Sequence, residues 1–168
     1  DQMLVFGGGT ETSTDEVQAL AMSKGSIATG STAQPVGRLP TVRSDLSAVT
    51  IGSTAYVLGG YDGNEPLASV LATADGSRFT EVTKLPAPGR YLAVATLAGR
   101  IYAFGGETAG GTASNAIQEV DPKAGTARIF GRLPTGIYHV SAIVLGHAIY
   151  VLCGEANGKP TDQVLRFE

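Results

Sequence analysis

The chain holds a single cysteine, Cys153, among its 168 residues, so no internal disulfide framework supports it. Tryptophan is absent. Positive charge is scarce: 12 lysines and arginines stand against 15 acids, for a net charge of −3 and an isoelectric point near 5.4. Surfaces that grip phosphate backbones are usually strongly basic, so nucleic acid is not an expected partner. No stretch reaches the ~18 uninterrupted apolar residues of a membrane span, and no membrane insertion is expected. The most apolar run, Val140 to Leu152, is broken by Gly146-His147 and reads as two strands around a turn. The opening Asp1-Gln2-Met3-Leu4-Val5-Phe6 has neither an initiator methionine nor a charged-then-apolar signal profile. It begins inside a strand, and the chain reads as an excised or processed piece of something longer.

What is present is enough for a packed core. Hydrophobic residues make up 43% and charged residues 16%, which excludes a disordered tail. The 23 glycines and 8 prolines are many for a helical protein but too few for low complexity. They also recur with a period. Leu-Pro stands at Leu39-Pro40, Leu85-Pro86 and Leu133-Pro134, 46 and 48 residues apart. An apolar strand ending in a glycine pair recurs at Gly7-Gly8, Gly59-Gly60 and Gly105-Gly106, with Cys153-Gly154 as a fourth copy. From proline to the first member of the pair is 19 residues in every complete copy.

Each unit reads as β throughout. A short strand follows Leu-Pro (Leu46 to Ile51, Leu92 to Leu97, Val140 to Leu145), then a tight turn at Gly52-Ser53, Gly99-Arg100 or Gly146-His147. The second strand carries Tyr56, Tyr102 or Tyr150 in register and runs into the glycine pair. A polar loop leads to a third strand (Val70 to Ala74, Ala116 to Val120, Val164 to Phe167). Asp75-Gly76 and Asp121-Pro122 then supply turn chemistry before a weak fourth strand. Asp15 to Met22 is the best helical candidate, and it fits the third-strand slot of the first unit as well; we read it as strand. Four antiparallel strands in about 47 residues make one propeller blade.

The strands Tyr56-Val57-Leu58-Gly59-Gly60 and Tyr102-Ala103-Phe104-Gly105-Gly106, repeated at this period, resemble the kelch repeat, and the resemblance covers essentially the whole chain. Val120-Asp121-Pro122 is similar to that family's tyrosine-aspartate-proline step. The family's outer-strand tryptophan is replaced by Ala33, Phe79 and Ala127, and Cys153 replaces a glycine of the pair. The fold implied is an all-β, kelch-type β-propeller with about three and a half four-stranded blades in residues 1–168. Its units are 1–40 without a first strand, 41–86, 87–134, and 135–168 without a last strand. Closed rings hold about four to eight blades, so missing blades or a second chain are expected to close this one.

Recognisable catalytic signatures are missing: there is no nucleophile elbow, P-loop, H-E-x-x-H, paired C-x-x-C or dinucleotide fingerprint. His139 and His147 sit eight residues apart across a hairpin, a spacing that alone does not make a metal site, and His147 reads as a turn residue. Asp62-Gly63-Asn64 resembles the start of a calcium loop but lacks its further donors, so it reads as a plain turn. Cys153 has no neighbouring cation in sequence and reads as buried and inert. Arg38, Lys84 and Arg132 precede each Leu-Pro and read as a solvated strand edge. No catalytic residue, metal or cofactor is expected.

In a propeller whose strands alternate in direction, the loops after the glycine pairs and the loops entering the innermost strands share one face, around the channel mouth. The entering loops align Ser44, Arg90 and Tyr138 in one register, and Asp45, Tyr91 and His139 in the next. The glycine-pair loops add Asp62, Asn64, Glu107 and Glu155. Structural positions repeat their residue type, whereas these vary from blade to blade. Arg and Tyr carry recognition energy at interfaces. The expected binding set is therefore Asp45, Asp62, Asn64, Arg90, Tyr91, Glu107, Tyr138, His139 and Glu155.

The expected function is a non-catalytic module presenting this surface to a protein or glycan partner. Two alternatives stand beside it: part of a propeller enzyme acting on sugars, as the resemblance allows, or a structural half that closes a ring with a second chain. Copper chemistry would need more than the 2 histidines present. The Ala/Gly/Thr-rich composition, with four lysines against eight arginines, resembles high-GC bacterial proteins; by that analogy an extracellular or membrane-tethered location is expected.

Overall fold

The structure, a computed structural model, describes residues 2–152 and 154–168. Cys153 lies outside the described residues, and with it the expectation of a buried, inert thiol. Among the described residues every regular element is a strand, and no helix is long and apolar enough to cross a membrane.

The strands fall into successive antiparallel sheets. The first contains β1 (Gln2–Phe6), β2 (Glu16–Ser23), the stub β3 (Ser26–Ile27) and β4 (Gln34–Arg38), with β2 between β1 and β4. Two complete blades follow: β5 (Ser47–Ile51) to β8 (Thr80–Lys84) through β6 (Thr54–Leu58) and β7 (Ser69–Thr73), then β9 (Ala93–Leu97), β10 (Arg100–Phe104), β11 (Ala116–Asp121) and β12 (Thr126–Arg132). In the last unit β13 (Ile137–Tyr138) precedes β14 (Ser141–Leu145) and β15 (Ala148–Leu152). The short β16 (Glu155–Ala156) pairs with β13 on one side and with β17 (Lys159–Pro160) on the other, and β18 (Val164–Phe167) pairs with β15. The segment 16–23 is a strand, as the third-strand slot requires. The same β-bulge recurs where each third strand meets its outer strand, at Val17/Gln18, Val70/Leu71 and Ile117/Gln118. Such a bulge increases local twist, which suits a blade that must turn away from its neighbour.

One turn differs from the sequence reading. In the β9–β10 hairpin Leu97 pairs with Arg100, so the turn is Ala98-Gly99, and Arg100 belongs to the strand. Both Ala98 and Gly99 are left-handed (φ 50° and 76°), whereas the other two hairpins bend on one left-handed glycine, Gly52 or Gly146. Arg100 is then free to pair with Asp121 at 2.6 Å across the blade.

The Leu-Pro motif is an inter-blade device. Leu39, Leu85 and Leu133 are each nearly fully buried, and each belongs to a different hydrophobic cluster between consecutive blades. Their N–H groups donate to the carbonyls of Asp15, Ala68 and Asn115 at 2.7 to 2.8 Å, which fixes the leucine before the chain leaves the blade. Full burial of each leucine contributes roughly 1.5–3 kcal/mol. In the first cluster Phe79 stands where the family has its tryptophan, edge-on to Phe6 at 6.2 Å.

The glycine pair is explained by the next blade. Gly59 is left-handed (φ +59°), and a Cβ there would collide with the carbonyl oxygen of Gly89, on the segment entering the following blade. Gly60 (φ +101°) donates its N–H to that same carbonyl at 3.0 Å. Gly7-Gly8 meets Arg43 and Gly105-Gly106 meets Ile137 in the same way. Only glycine permits both the backbone angle and the approach.

Candidate functional site

Two backbone features build the face on which the glycine pairs emerge. In the second to fourth units the residue after the pair bridges to the residue entering the innermost strand of its blade: Tyr61 with Ser44, Glu107 with Arg90, and Glu155 with Tyr138. In the first two cases both N–H groups donate across the bridge, at 2.8 to 3.1 Å. The next residue is left-handed in every case, at Asp45 (φ 55°), Tyr91 (φ 56°) and His139 (φ 53°). Asp and His tolerate this conformation; a bulky Tyr does so at a cost of about 1–3 kcal/mol that surrounding contacts must offset.

Those contacts run from blade to blade. The Tyr91 N–H donates to the Asp45 carbonyl at 2.9 Å. The rings of Tyr91 and His139 lie 4.0 Å apart between centroids, and His139 and Tyr138 lie 4.9 Å apart. Burial, followed by a hydrogen bond to Asp45, pushes the Tyr91 phenol above its ordinary pKa.

Arg90 is the charge centre of the face. Its Nε and Nη2 both donate to Glu107 Oε1, at 3.1 and 2.5 Å, and Nη1 lies 3.7 Å from Asp45 Oδ2. Its guanidinium carbon sits 4.6 Å from the Tyr61 ring centroid and 5.1 Å from that of Tyr91. The hydrogen bond to Glu107 pushes the arginine further up from its usual range. In the last blade Tyr138 Oη donates to Glu155 Oε2 at 2.9 Å, which raises the phenol. His139 Nδ1 lies 3.3 Å from the other oxygen of Glu155.

The structure thus joins Asp45, Arg90, Tyr91 and Glu107 into one cluster, and Tyr138, His139 and Glu155 into another, linked by the Tyr91–His139 contact. Asp62 and Asn64 stand apart from both. Asp62 Oδ1 accepts the N–H groups of Asn64 and Glu65, both at 2.8 Å, and these bonds hold its carboxyl below the usual range. Asn64 is exposed on the same loop.

Two open clefts flank this loop. One, of about 620 Å³ between the first two blades, is lined in part by Glu11, Ser44, Asp45, Tyr61 and Asp62. A smaller one of about 150 Å³ lies towards the third blade, against Glu107 and Pro66. Tyr61, Asn64 and Arg90 line both. Among the described residues no three His, Cys, Asp or Glu side chains converge as a metal site would require. What the face offers is carboxylate acceptors, aromatic rings and one partly exposed guanidinium.

Tyr61 was missed by the sequence reading, although the signal was there. It stands one residue after Gly60, as Glu107 and Glu155 stand one after their own pairs, and the repeat spacing that aligned the others aligns it too.

A family model described as Kelch motif matches residues 43–72. The match runs from the segment entering the second blade through β5, β6 and the glycine pair into β7, and it includes Asp45, Tyr61, Asp62 and Asn64. No curated protein matches the chain.

Proposed function

We propose that this chain is a kelch-type protein-interaction module, as the motif match over residues 43–72 supports, and that the mouth-face loops are the surface with which it holds its partner. One observation carries the reading: a left-handed non-glycine residue recurs in register in three blades, as Asp45, Tyr91 and His139, with a different side chain each time. Backbone strain that repeats while chemistry varies supports a scaffold holding blade-specific recognition groups. The innermost strands support the same reading, because Ala48, Thr50, Val94 and Thr96 are small or apolar and leave the polar chemistry to the mouth.

The test is quantitative capture of a protein partner by the wild-type chain and by an Arg90→Ala/Tyr91→Ala/His139→Ala variant. The control, Arg78→Ala/Lys123→Ala, alters the turns at the opposite end of the blades. The mouth variant is expected to lose at least about tenfold in affinity, since recognition at such sites concentrates in a few Arg and aromatic side chains. Binding that survives the mouth variant and is lost in the control overturns the assignment.

A further inference from the structure

We propose that the mouth selects a basic partner: the cleft between the first two blades receives a guanidinium or ammonium side chain from an extended, positively charged segment. The inference rests on the mouth being the contact surface, and it adds the chemistry of what lands there.

The argument starts from a cation already in place. Arg90 shows how this surface holds a guanidinium. Carboxylates lie to the side, with Glu107 in direct hydrogen bonds and Asp45 at 3.7 Å, and the aromatic faces of Tyr61 and Tyr91 lie at 4.6 and 5.1 Å. This pairing of ring and carboxylate is a favourable environment for a partly desolvated cation. The neighbouring cleft is built from the same materials, with Tyr61 and Asp45 shared with the Arg90 cage and Asp62 and Glu11 added. At about 620 Å³ it has room for a long side chain together with some of its backbone.

Charge balance sets the sign. Arg90 borders the cleft, but its positive charge is already engaged by Glu107 and Asp45. An incoming carboxylate must compete with those two and also approach Asp62 and Glu11. An incoming cation meets Arg90, whose charge Glu107 and Asp45 offset, and is drawn by Asp62 and Glu11, which pair with no cation among the described residues; complementary potential both speeds encounter and suppresses wrong partners. The backbone N–H groups of Asn64 and Glu65 keep Asp62 ionised, so the attraction persists into mildly acid solution. Farther round the mouth Glu155 extends the acidic surface beside His139.

The experiment titrates the full chain with fluorescein-labelled hexa-arginine, hexaglutamate and a neutral glycine-serine hexapeptide, following anisotropy. Because hexa-arginine attaches weakly to any acidic protein, the decisive measurements are the variants. Asp45→Asn/Asp62→Asn keeps residues that tolerate the local backbone; Tyr61→Leu removes the ring and Tyr61→Phe restores it; Glu81→Gln/Glu168→Gln removes two acids elsewhere. Hexa-arginine is expected to bind with at least about tenfold preference over hexaglutamate and to weaken as salt rises. The Asp45/Asp62 variant is expected to lose about tenfold, Tyr61→Leu about threefold to tenfold with Tyr61→Phe recovering most of it, and the distant acid variant less than twofold, as for an aromatic-lined, localised charge site. Equal binding of hexaglutamate overturns the inference, as does equal loss from the distant acid variant. If hexa-arginine fails while the Arg90/Tyr91/His139 variant still loses its protein partner, the basic class falls and the contact surface stands. If both fail, the contact surface falls as well.

Discussion

Gln118 holds the backbone of Ala87 by both ends of its amide: Oε1 accepts the Ala87 N–H at 2.9 Å, and Nε2 donates to the Ala87 carbonyl at 3.0 Å. The glutamine is fully buried in the third blade, and Ala87 lies on the connection that enters it, just after Leu85-Pro86. The cross-strand partner of Gln118 is the small Ala103, which leaves space for the longer side chain. One residue thereby matches both hydrogen-bonding groups of a turning segment that belongs to no strand.

Removing that clamp is costly in a predictable way. Gln118→Leu preserves size but leaves two half-buried backbone groups without partners, and it is expected to lower unfolding free energy by about 1–3 kcal/mol. Gln118→Glu is expected to be worse at neutral pH, because a carboxylate accepts but cannot donate to the Ala87 carbonyl. Urea denaturation of the three proteins measures this; equal midpoints for wild type and Gln118→Leu would refute it.

Glycines with positive φ should differ sharply in tolerance. Gly60→Ala places a Cβ against the Ser44 carbonyl and Leu46, at an already unfavourable φ, and should cost more than about 2 kcal/mol. Gly52 is also left-handed, but a Cβ there meets nothing within 4 Å, so Gly52→Asn should cost less than about 1 kcal/mol. Thermal melts of the two variants should separate by several degrees.

Arg43 is almost fully buried where the chain enters the second blade. Its Nη1 donates to the Gly59 carbonyl at 3.1 Å, Nη2 donates to Ser69 Oγ at 3.0 Å, and Nε has no partner among the described residues. Burial pulls its pKa down, against the opposing field of Glu81. Arg43→Met removes the cost of burying a cation but leaves the buried Gly59 carbonyl without its donor, so it should lower unfolding free energy by about 1–2 kcal/mol. Arg43→Ala opens a cavity and should cost about 3 kcal/mol. A methionine variant as unstable as the alanine variant would contradict this account.

Acid sensitivity should begin in the turns. The backbone N–H groups of Ser77 and Arg78 lower the Asp75 carboxyl from 3.8 to about 2, and Asp121 is lowered by the N–H of Ala124. A carboxyl whose pKa is depressed on folding adds stability above its unfolded pKa, and that contribution disappears as pH falls through the folded value. Melting temperature should therefore fall between about pH 4 and pH 2. In Asp75→Asn the same descent should be shallower, starting from a lower melting temperature at neutral pH. Parallel curves for the two proteins would count against this origin.

Much of the blade architecture was legible because its determinants are local. Hairpin turns and alternating strands depend on residues within a few positions of one another, and the repeat of Leu-Pro and glycine pairs displays the same solution several times. The Ala98-Gly99 turn escaped because the other two hairpins lead with glycine, and only strand pairing reveals that Arg100 already belongs to β10. The loops on the glycine-pair face were legible as a set but not as a network. Tyr61 beneath Arg90, and Tyr91 against His139, are meetings between blades that depend on the angle between successive sheets.

The order of residues alone determined that this chain makes repeated, four-stranded antiparallel modules with glycine pairs at their exits, because backbone angles and side-chain alternation are short-range demands. Only the tertiary structure decided why those glycines are needed: the next blade's carbonyl presses against the first and accepts a hydrogen bond from the second. It also decided that Arg90 is engaged by Glu107 and Asp45 while the adjoining cleft is walled by carboxylates and a tyrosine. Electrostatic balance is a sum over groups distant in sequence, and it exists only once the blades are packed side by side.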